Sequence, residues 1–350
     1  MAERVVVGIS GGVDSAVAAY LLKKQGLEVI GITFKFTDTF DATDAIEVAK
    51  SLEIEHHIVD YRKEFKERVM DVFLNEYKKG LTPNPCVICN RYVKMNFLYE
   101  QMKEYNCEYL ATGHYAKILD SKLYRSADLN KDQTYFLSSV PQKIIARLIL
   151  PLEGINKEEV RKIATSANLA VASKKDSTDV CFITSTFKDY IEQHLEENPG
   201  DIVNIENNEV LGQHKGLAFH TIGQRKGLGI GTTDKLFVVG KNPEKNILYV
   251  ALGENNDYLT SDSCLLKNIN IISYHHPSFA TAKFRYRSKE VPVSIEYVNE
   301  NEIKVSYLEP TKGVTPGQNC AIYIGEECIG GGTINEVYKN NEKLWYVSVE

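Results

Sequence analysis

Hydrophobic and polar positions along the first half of the chain alternate between two periods. Apolar runs at Val5–Ile9, Glu28–Phe34, His57–Tyr61 and Tyr109–Thr112 read as short strands, and the triplet Val5-Val6-Val7 suits a strand covered on both faces. Between them the spacing turns helical. Val13, Val17, Tyr20 and Leu21 follow the first run, and Phe65, Val69, Phe73 and Tyr77 share a face that stops at Gly80, a favourable C-cap. Further helical patterns cover Gln142–Leu150 and Lys157–Leu169. Strands alternating with helices predict an α/β domain, a Rossmann-like parallel sheet with helices on both faces. In such sheets ligands sit beyond the carboxyl ends of the strands.

The pattern changes after Asn198-Pro199-Gly200. Short β-like runs take over at Lys235–Val239, Ile247–Ala251, Val291–Val298, Ile303–Leu308 and Cys320–Ile324, separated by Gly, Asn and Pro turns. The spacing predicts a small central domain and a C-terminal antiparallel barrel or sandwich. The expected division is 1–197, 198–258 and 259–350.

At 350 residues, with 43% hydrophobic and 25% charged positions, the chain fits a multidomain globular protein. No stretch has the apolar length of a membrane-spanning helix, and the chain opens on a strand rather than a signal peptide. Seven cysteines, an odd number, argue for a reducing cytoplasm rather than a disulfide framework. The net charge of −6 does not favour nucleic acid, yet the cations are clustered. Lys215, Arg225, Lys226, Lys235, Lys241 and Lys245 face only Asp234 and Glu244 between Val210 and Val250, and Lys283-Phe-Arg285-Tyr-Arg287-Ser-Lys289 interleaves cations with aromatics. Such stripes suit a phosphate backbone and equally suit solvated strand faces.

Candidate chemistry begins at Ser10-Gly11-Gly12-Val13-Asp14-Ser15, between the first strand and the first helix. Two adjacent glycines let backbone N–H groups approach an oxyanion at a helix N-terminus. Ser10 and Ser15 offer hydroxyls, and Asp14 offers a carboxylate for Mg²⁺ among phosphates. The loop is neither a Walker loop nor a Gly-x-Gly-x-x-Gly turn. Its spelling resembles the pyrophosphate (PP) loop of ATP pyrophosphatases; the plain alternative is a tight turn that binds nothing.

A second signal is Thr82-Pro-Asn84-Pro85-Cys86-Val-Ile-Cys89-Asn90, followed by Ile88, Tyr92, Met95, Tyr99 and Met102 at helical spacing. Asn84 as N-cap and Pro85 at the first helical position place Cys86 and Cys89 in the opening turns. There the macrodipole, with Arg91 and Lys94 close in sequence, is expected to favour thiolates. Structural zinc lacks a second ligand pair. Cys181 taken alone reads as an ordinary buried cysteine, and Cys107, Cys264, Cys320 and Cys328 read as packing residues. Gly113-His114-Tyr115 is placed at a strand's carboxyl end, and Lys131-Asp132-Gln133-Thr134 reads as a polar loop.

In order, Ser10–Ser15, Thr82–Asn90, Ala111–Tyr115, Lys131–Gln133 and Asp176–Ile183, then His220–Ile230 and Thr315–Gln318, resemble the tRNA-specific 2-thiouridylases (the MnmA family) over essentially the whole chain. The resemblance implies an N-terminal ATP-pyrophosphatase (PP-loop) domain, a small central tRNA-contacting domain and a C-terminal β-barrel. It implies thiolation of the 2-position of the wobble uridine in tRNAs for Lys, Glu and Gln. ATP adenylates the uracil 2-oxygen, and a persulfide on Cys181, loaded by a sulfur carrier or cysteine desulfurase, delivers sulfur with Cys89 as its partner. A Cys89–Cys181 disulfide is left behind. Nucleotide contacts fall on Gly8, Ile9, Ser10, Gly11, Gly12, Val13, Asp14, Ser15, Phe34 and Gly113. Asn84, Pro85 and Cys86 surround the flipped base, and His114, Lys131, Asp132, Gln133, Arg285, Tyr286 and Gln318 touch tRNA.

The chain departs from the best-known members in having Cys86 where they carry Asp, and in a shorter segment after Phe36. Cys86, Cys89 and Cys181 together would supply three thiolates to an iron–sulfur cluster, an alternative to the persulfide route. Two other readings remain: an amide-forming PP-loop synthetase, which needs neither Cys89 nor Cys181, and a non-catalytic tRNA-binding scaffold.

Overall fold

The computed structural model describes residues 3–175, 180–231, 235–273 and 275–347. The N-terminal sheet is parallel, with strands β1 (Arg4–Gly8), β2 (Glu28–Lys35), β3 (Glu55–Asp60) and β4 (Tyr109–Ala111) where the apolar runs predict them. β1 is central, with Val6 opposite Ile30 of β2 and Leu110 of β4. Val5, Val6 and Val7 are all fully buried, as expected of a strand covered on both faces. Helix α1 (Val13–Lys24) packs on one face with the helix Lys157–Ser166, and the helix Met95–Glu104 lies against β1 and β4.

One expected helix is cut short. Over Gln142–Leu150 only Gln142–Ile145 is helical; after a hairpin, β5 (Lys117–Leu119) and β6 (Lys122–Tyr124), the next strand β7 is Leu148–Ile149, pairing with β4 at the sheet edge. Its apolar residues satisfy a strand as well as a helix, and the open edge of β4 decides between them.

The central sheet is ordered β10-β11-β8-β9, from β8 (Gly200–Asn204), β9 (Val210–His214), β10 (Leu236–Asn242) and β11 (Ile247–Leu252). The C-terminal strands are β12 (Thr260–Ile271), β13 (Phe279–Lys283), β14 (Val291–Asn299), β15 (Glu302–Lys312), β16 (Asn319–Ile324) and β17 (Glu327–Lys339). They run β12-β15-β14-β13-β16-β17, and β17 pairs back to β12, closing a six-stranded antiparallel barrel. Closure leaves those strands no free edge, which settles barrel over sandwich.

The three parts share a framework. β6 adds to the barrel through Cys328 opposite Leu123, so the N-terminal half supplies a hairpin to the C-terminal sheet. Beside it Arg125 is almost fully buried, bonded to Glu290 at 2.8 Å and lying 3.9 Å from the centre of the Tyr323 ring.

Candidate active site

The loop after β1 folds on its own serines. Ser15 Oγ accepts from the Ser10 N–H at 3.1 Å and donates to the Gly12 carbonyl at 3.0 Å, so the loop is tied back to the first turn of α1. Gly11 has φ +71°, and a Cβ there would lie 3.0 Å from Asp44 Cβ. Gly113, beyond β4, approaches the loop more closely still: a Cβ would stand 2.7 Å from the Asp14 carbonyl carbon and 2.8 Å from the Ser15 nitrogen. The distant Gly113 and the Ser10–Ser15 loop therefore form one surface. Phe34, at the end of β2, is mostly buried, with its ring 5.5 Å from Phe36.

Asp14 is already engaged. Its Oδ1 accepts from the Tyr115 hydroxyl and from Lys157 Nζ, both at 2.7 Å, and Oδ2 accepts from Lys157 at 2.8 Å. In this arrangement both carboxylate oxygens are committed to protein donors, Tyr115 and Lys157. Lys174 donates to the Gly11 carbonyl at 2.9 Å and pairs with Asp44. These two lysines escaped the sequence reading because isolated lysines carry no motif; Lys157 stands out only as the first residue of a capped helix.

Asn84 and Pro85 take their expected places. The Asn84 side chain caps Val87 N–H at 3.2 Å and Pro85 opens the helix Pro85–Cys89. The helix continues through a π-turn at Asn90–Lys94 into Met95–Glu104. Cys86 and Cys181 reach the surface, Cys89 is buried, and all three are free thiols. Cys181 acts electrostatically on both Cys86 and Cys89, so the fold brings one distant cysteine to the pair. Of the segment that carries it, Asp176–Asp179 lie outside the described residues.

The surroundings of the thiols oppose the expected thiolates, most of all at the buried Cys89. Burial pushes Cys89 up to about 12, and Cys86 and Cys181 also upward, while Lys94 opposes the rise on all three. Loss of hydration outweighs both the helix N-terminus and the cation. Among the described residues no group of three or more His, Cys, Asp or Glu side chains is arranged to hold a metal ion, so the thiols do not fit an iron–sulfur ligand set in this arrangement.

His114 follows Gly113 in the chain and feels Lys94 of the cysteine helix. Burial first, then Lys94, pushes it down to about 3, and Nδ1 lies 2.8 Å from the Thr112 hydroxyl. It is a neutral imidazole at neutral pH. Gln133 clasps Tyr115 both ways, accepting its N–H at 2.9 Å and donating to its carbonyl at 2.8 Å. Lys131 is half-buried beside it.

Asp132 faces inward in this structure. It is only 4% exposed, with one oxygen on the Ser126 N–H and the other on the Thr134 hydroxyl, so it shapes the loop that carries Lys131 and Gln133. Arg285 donates to the Ile222 carbonyl at 3.0 Å and to the Thr315 hydroxyl at 2.9 Å. Tyr286 packs on Phe136 with ring centres 4.4 Å apart, and Gln318 donates to the Thr82 carbonyl at 2.7 Å. Of the basic run in the central domain, Arg225, Lys226, Lys235 and Lys245 are exposed, and Lys215 pairs with Glu197. Lys241 is buried and leaves the stripe; Asp234 lies outside the described residues.

Comparison with known proteins matches this architecture throughout. A family model described as "tRNA methyl transferase HUP domain" covers residues 3–185. A "tRNA methyl transferase PRC-barrel domain" covers 188–252 and an "Aminomethyltransferase beta-barrel domain" 261–334. The chain is 46% identical to the tRNA-specific 2-thiouridylase MnmA of Lysinibacillus sphaericus, over 98% of this chain and 97% of that protein. It is 44% identical to MnmA 2 of Geobacillus kaustophilus and 45% identical to MnmA of Bacillus subtilis, each over 98% of both chains. The model descriptions carry a methyl-transfer name, whereas these full-length relatives are named for thiolation.

Proposed function

The chain belongs to the tRNA-specific 2-thiouridylase family, PP-loop enzymes that use ATP to thiolate tRNA uridine, and from that premise we propose how its residues divide the work. It is a tRNA sulfurtransferase. The catalytic domain spans 1–197, the central domain 198–258 and the barrel domain 259–350. The modified position is the wobble uridine of tRNAs for Lys, Glu and Gln, and the enzyme works in the cytoplasm.

ATP binds with its phosphates on Gly8–Ser15, where glycine N–H groups, α1 and the neighbouring Lys157 and Lys174 supply positive potential. Phe34 and Gly113 complete the nucleotide pocket. The uracil 2-oxygen attacks the α-phosphorus and pyrophosphate leaves, converting a poor leaving group into AMP. Asn84, Pro85 and Cys86 hold the flipped base, and His114, Lys131, Gln133, Arg285, Tyr286 and Gln318 grip the RNA around it.

A persulfide on Cys181, loaded by a carrier protein or a desulfurase, holds the sulfur. The Cys89 thiolate attacks the Cys181 sulfur and releases hydrosulfide, which adds to C2 as AMP departs. Two thiol electrons reduce the sulfane sulfur, and the Cys89–Cys181 disulfide must be reduced before the next turnover. Because burial holds the Cys89 thiol high, its attack waits until bound substrate alters its surroundings.

The observation that carries this reading is 46% identity over the full length to a tRNA-specific 2-thiouridylase, and Cys181 lying close enough to Cys86 and Cys89 to influence their thiols supports it. An amide-forming synthetase has no use for that assembly. Cys181→Ser is expected to abolish thiolation while retaining tRNA binding and tRNA-dependent AMP formation. Full sulfur transfer by Cys181→Ser overturns the persulfide role, and a lack of tRNA-dependent AMP in the wild type restores the scaffold reading.

A further inference from the structure

Lys241, on β10, is 2% exposed, and its amine reaches out of the central sheet to one hydrogen-bond partner among the described residues, the Gly80 carbonyl at 3.0 Å. Among the described residues no carboxylate pairs with it. Gly80 ends the helix Asp71–Lys78 with φ +80°, and four residues later comes Asn84. Burying an amine on one carbonyl costs stability relative to an apolar chain of the same length, so packing alone does not account for a lysine here.

The segment that follows is held equally firmly by the barrel. Thr82 N–H donates to the Pro316 carbonyl at 3.1 Å, and Gln318 Nε2 donates to the Thr82 carbonyl at 2.7 Å. Gly317 comes so near that a Cβ would lie 2.9 Å from the Thr82 nitrogen. Arg285 then ties the barrel back to the central domain through Thr315 and Ile222, and Lys241 N–H itself donates to the Tyr346 carbonyl at 2.7 Å. The contacts make a ring: base loop, central sheet, barrel, base loop.

We propose that Lys241 is a positioning residue for thiolation, fixing the entry of the Thr82–Asn90 loop to the central domain so that RNA gripped by the two downstream domains meets its loop in register. The role rests on the assignment of Asn84–Cys89 to the target base. Misplacing such a loop by an ångström leaves RNA affinity in place and slows the chemistry, since proximity is what the loop supplies.

The test is full-length Lys241→Met, which keeps chain length and removes the donor. Thiolation kcat should fall about tenfold or more with KM for tRNA within about twofold. Amide exchange at Leu81–Asn90 in the free protein should accelerate while exchange in β1 and α1 stays unchanged. Measured at or below pH 7, the unfolding temperature should hold or rise. A lowered unfolding temperature makes Lys241 merely structural and overturns the proposal, as does unchanged exchange at Leu81–Asn90 or a loss confined to tRNA affinity. Exchange is read without RNA. A wild type that cannot thiolate tRNA therefore defeats the functional assignment, while the exchange data still decide whether Lys241 holds the loop.

Discussion

Single atoms decide much of this site. Gly113 has no room for a methyl group against Asp14 and Ser15, so Gly113→Ala must push the phosphate loop away. Overpacking of about 1–3 kcal/mol is expected to raise KM for ATP by about tenfold with the fold retained. A KM within error of the wild type, measured from tRNA-dependent AMP release, counts against the shared surface. Residue chemistry was partly legible: the Ser-Gly-Gly-x-Asp-Ser spelling and the Asn-Pro-Cys-x-x-Cys run announce themselves through local spacing. Thiol ionisation was not. The sequence places Cys86 and Cys89 at a helix start, which favours thiolates, but burial is a property of everything packed around them and outweighs the helix field.

The helix that Pro85 opens runs on through the π-turn to Glu104, and its first turn depends on the cap that satisfies its free N–H groups. Asn84→Ala removes the bond to Val87 N–H and is expected to cost about 1 kcal/mol, whereas Asn84→Asp keeps the cap and changes only the amide presented to a base. If Asn84 serves the base as well as the helix, the Asp variant will match the wild type in urea unfolding yet fail in thiolation; equal activity of the two confines Asn84 to capping. Element boundaries were legible where caps are local, as at Asn84, Gly80 and the strands β1 to β4. They were lost over Leu148–Ile149, where only the open edge of β4 makes a strand of an ambiguous apolar pair. The π-turn at Asn90–Lys94 has no composition signal and passes for continuous helix.

Across the whole molecule, buried bases leave a pH signature. Burial lowers Lys241 to about 7 and His220 to about 4, so each binds its proton more weakly folded than unfolded. Wild type should gain stability relative to Lys241→Met as pH rises from about 7 toward 10.5, the window in which only the unfolded chain holds that proton. It should lose stability relative to His220→Gln as pH falls from 6.5 toward 4. Urea unfolding of matched pairs across pH checks both, because carboxylates and thiols common to each pair cancel; parallel curves refute the assigned burial. At this scale the chain order of strands and helices determined the parallel sheet, the phosphate loop at its carboxyl edge and the β-rich remainder, since period and turn chemistry are local properties. Only the packed molecule decided that Cys181 comes within electrostatic range of Cys86 and Cys89, that Asp14 answers to Lys157, that Asp132 and Lys241 turn inward, and that the hairpin Lys117–Tyr124 belongs to the barrel. Those outcomes depend on contacts between residues far apart in sequence, where desolvation and close approach are set by neighbours that no local pattern names.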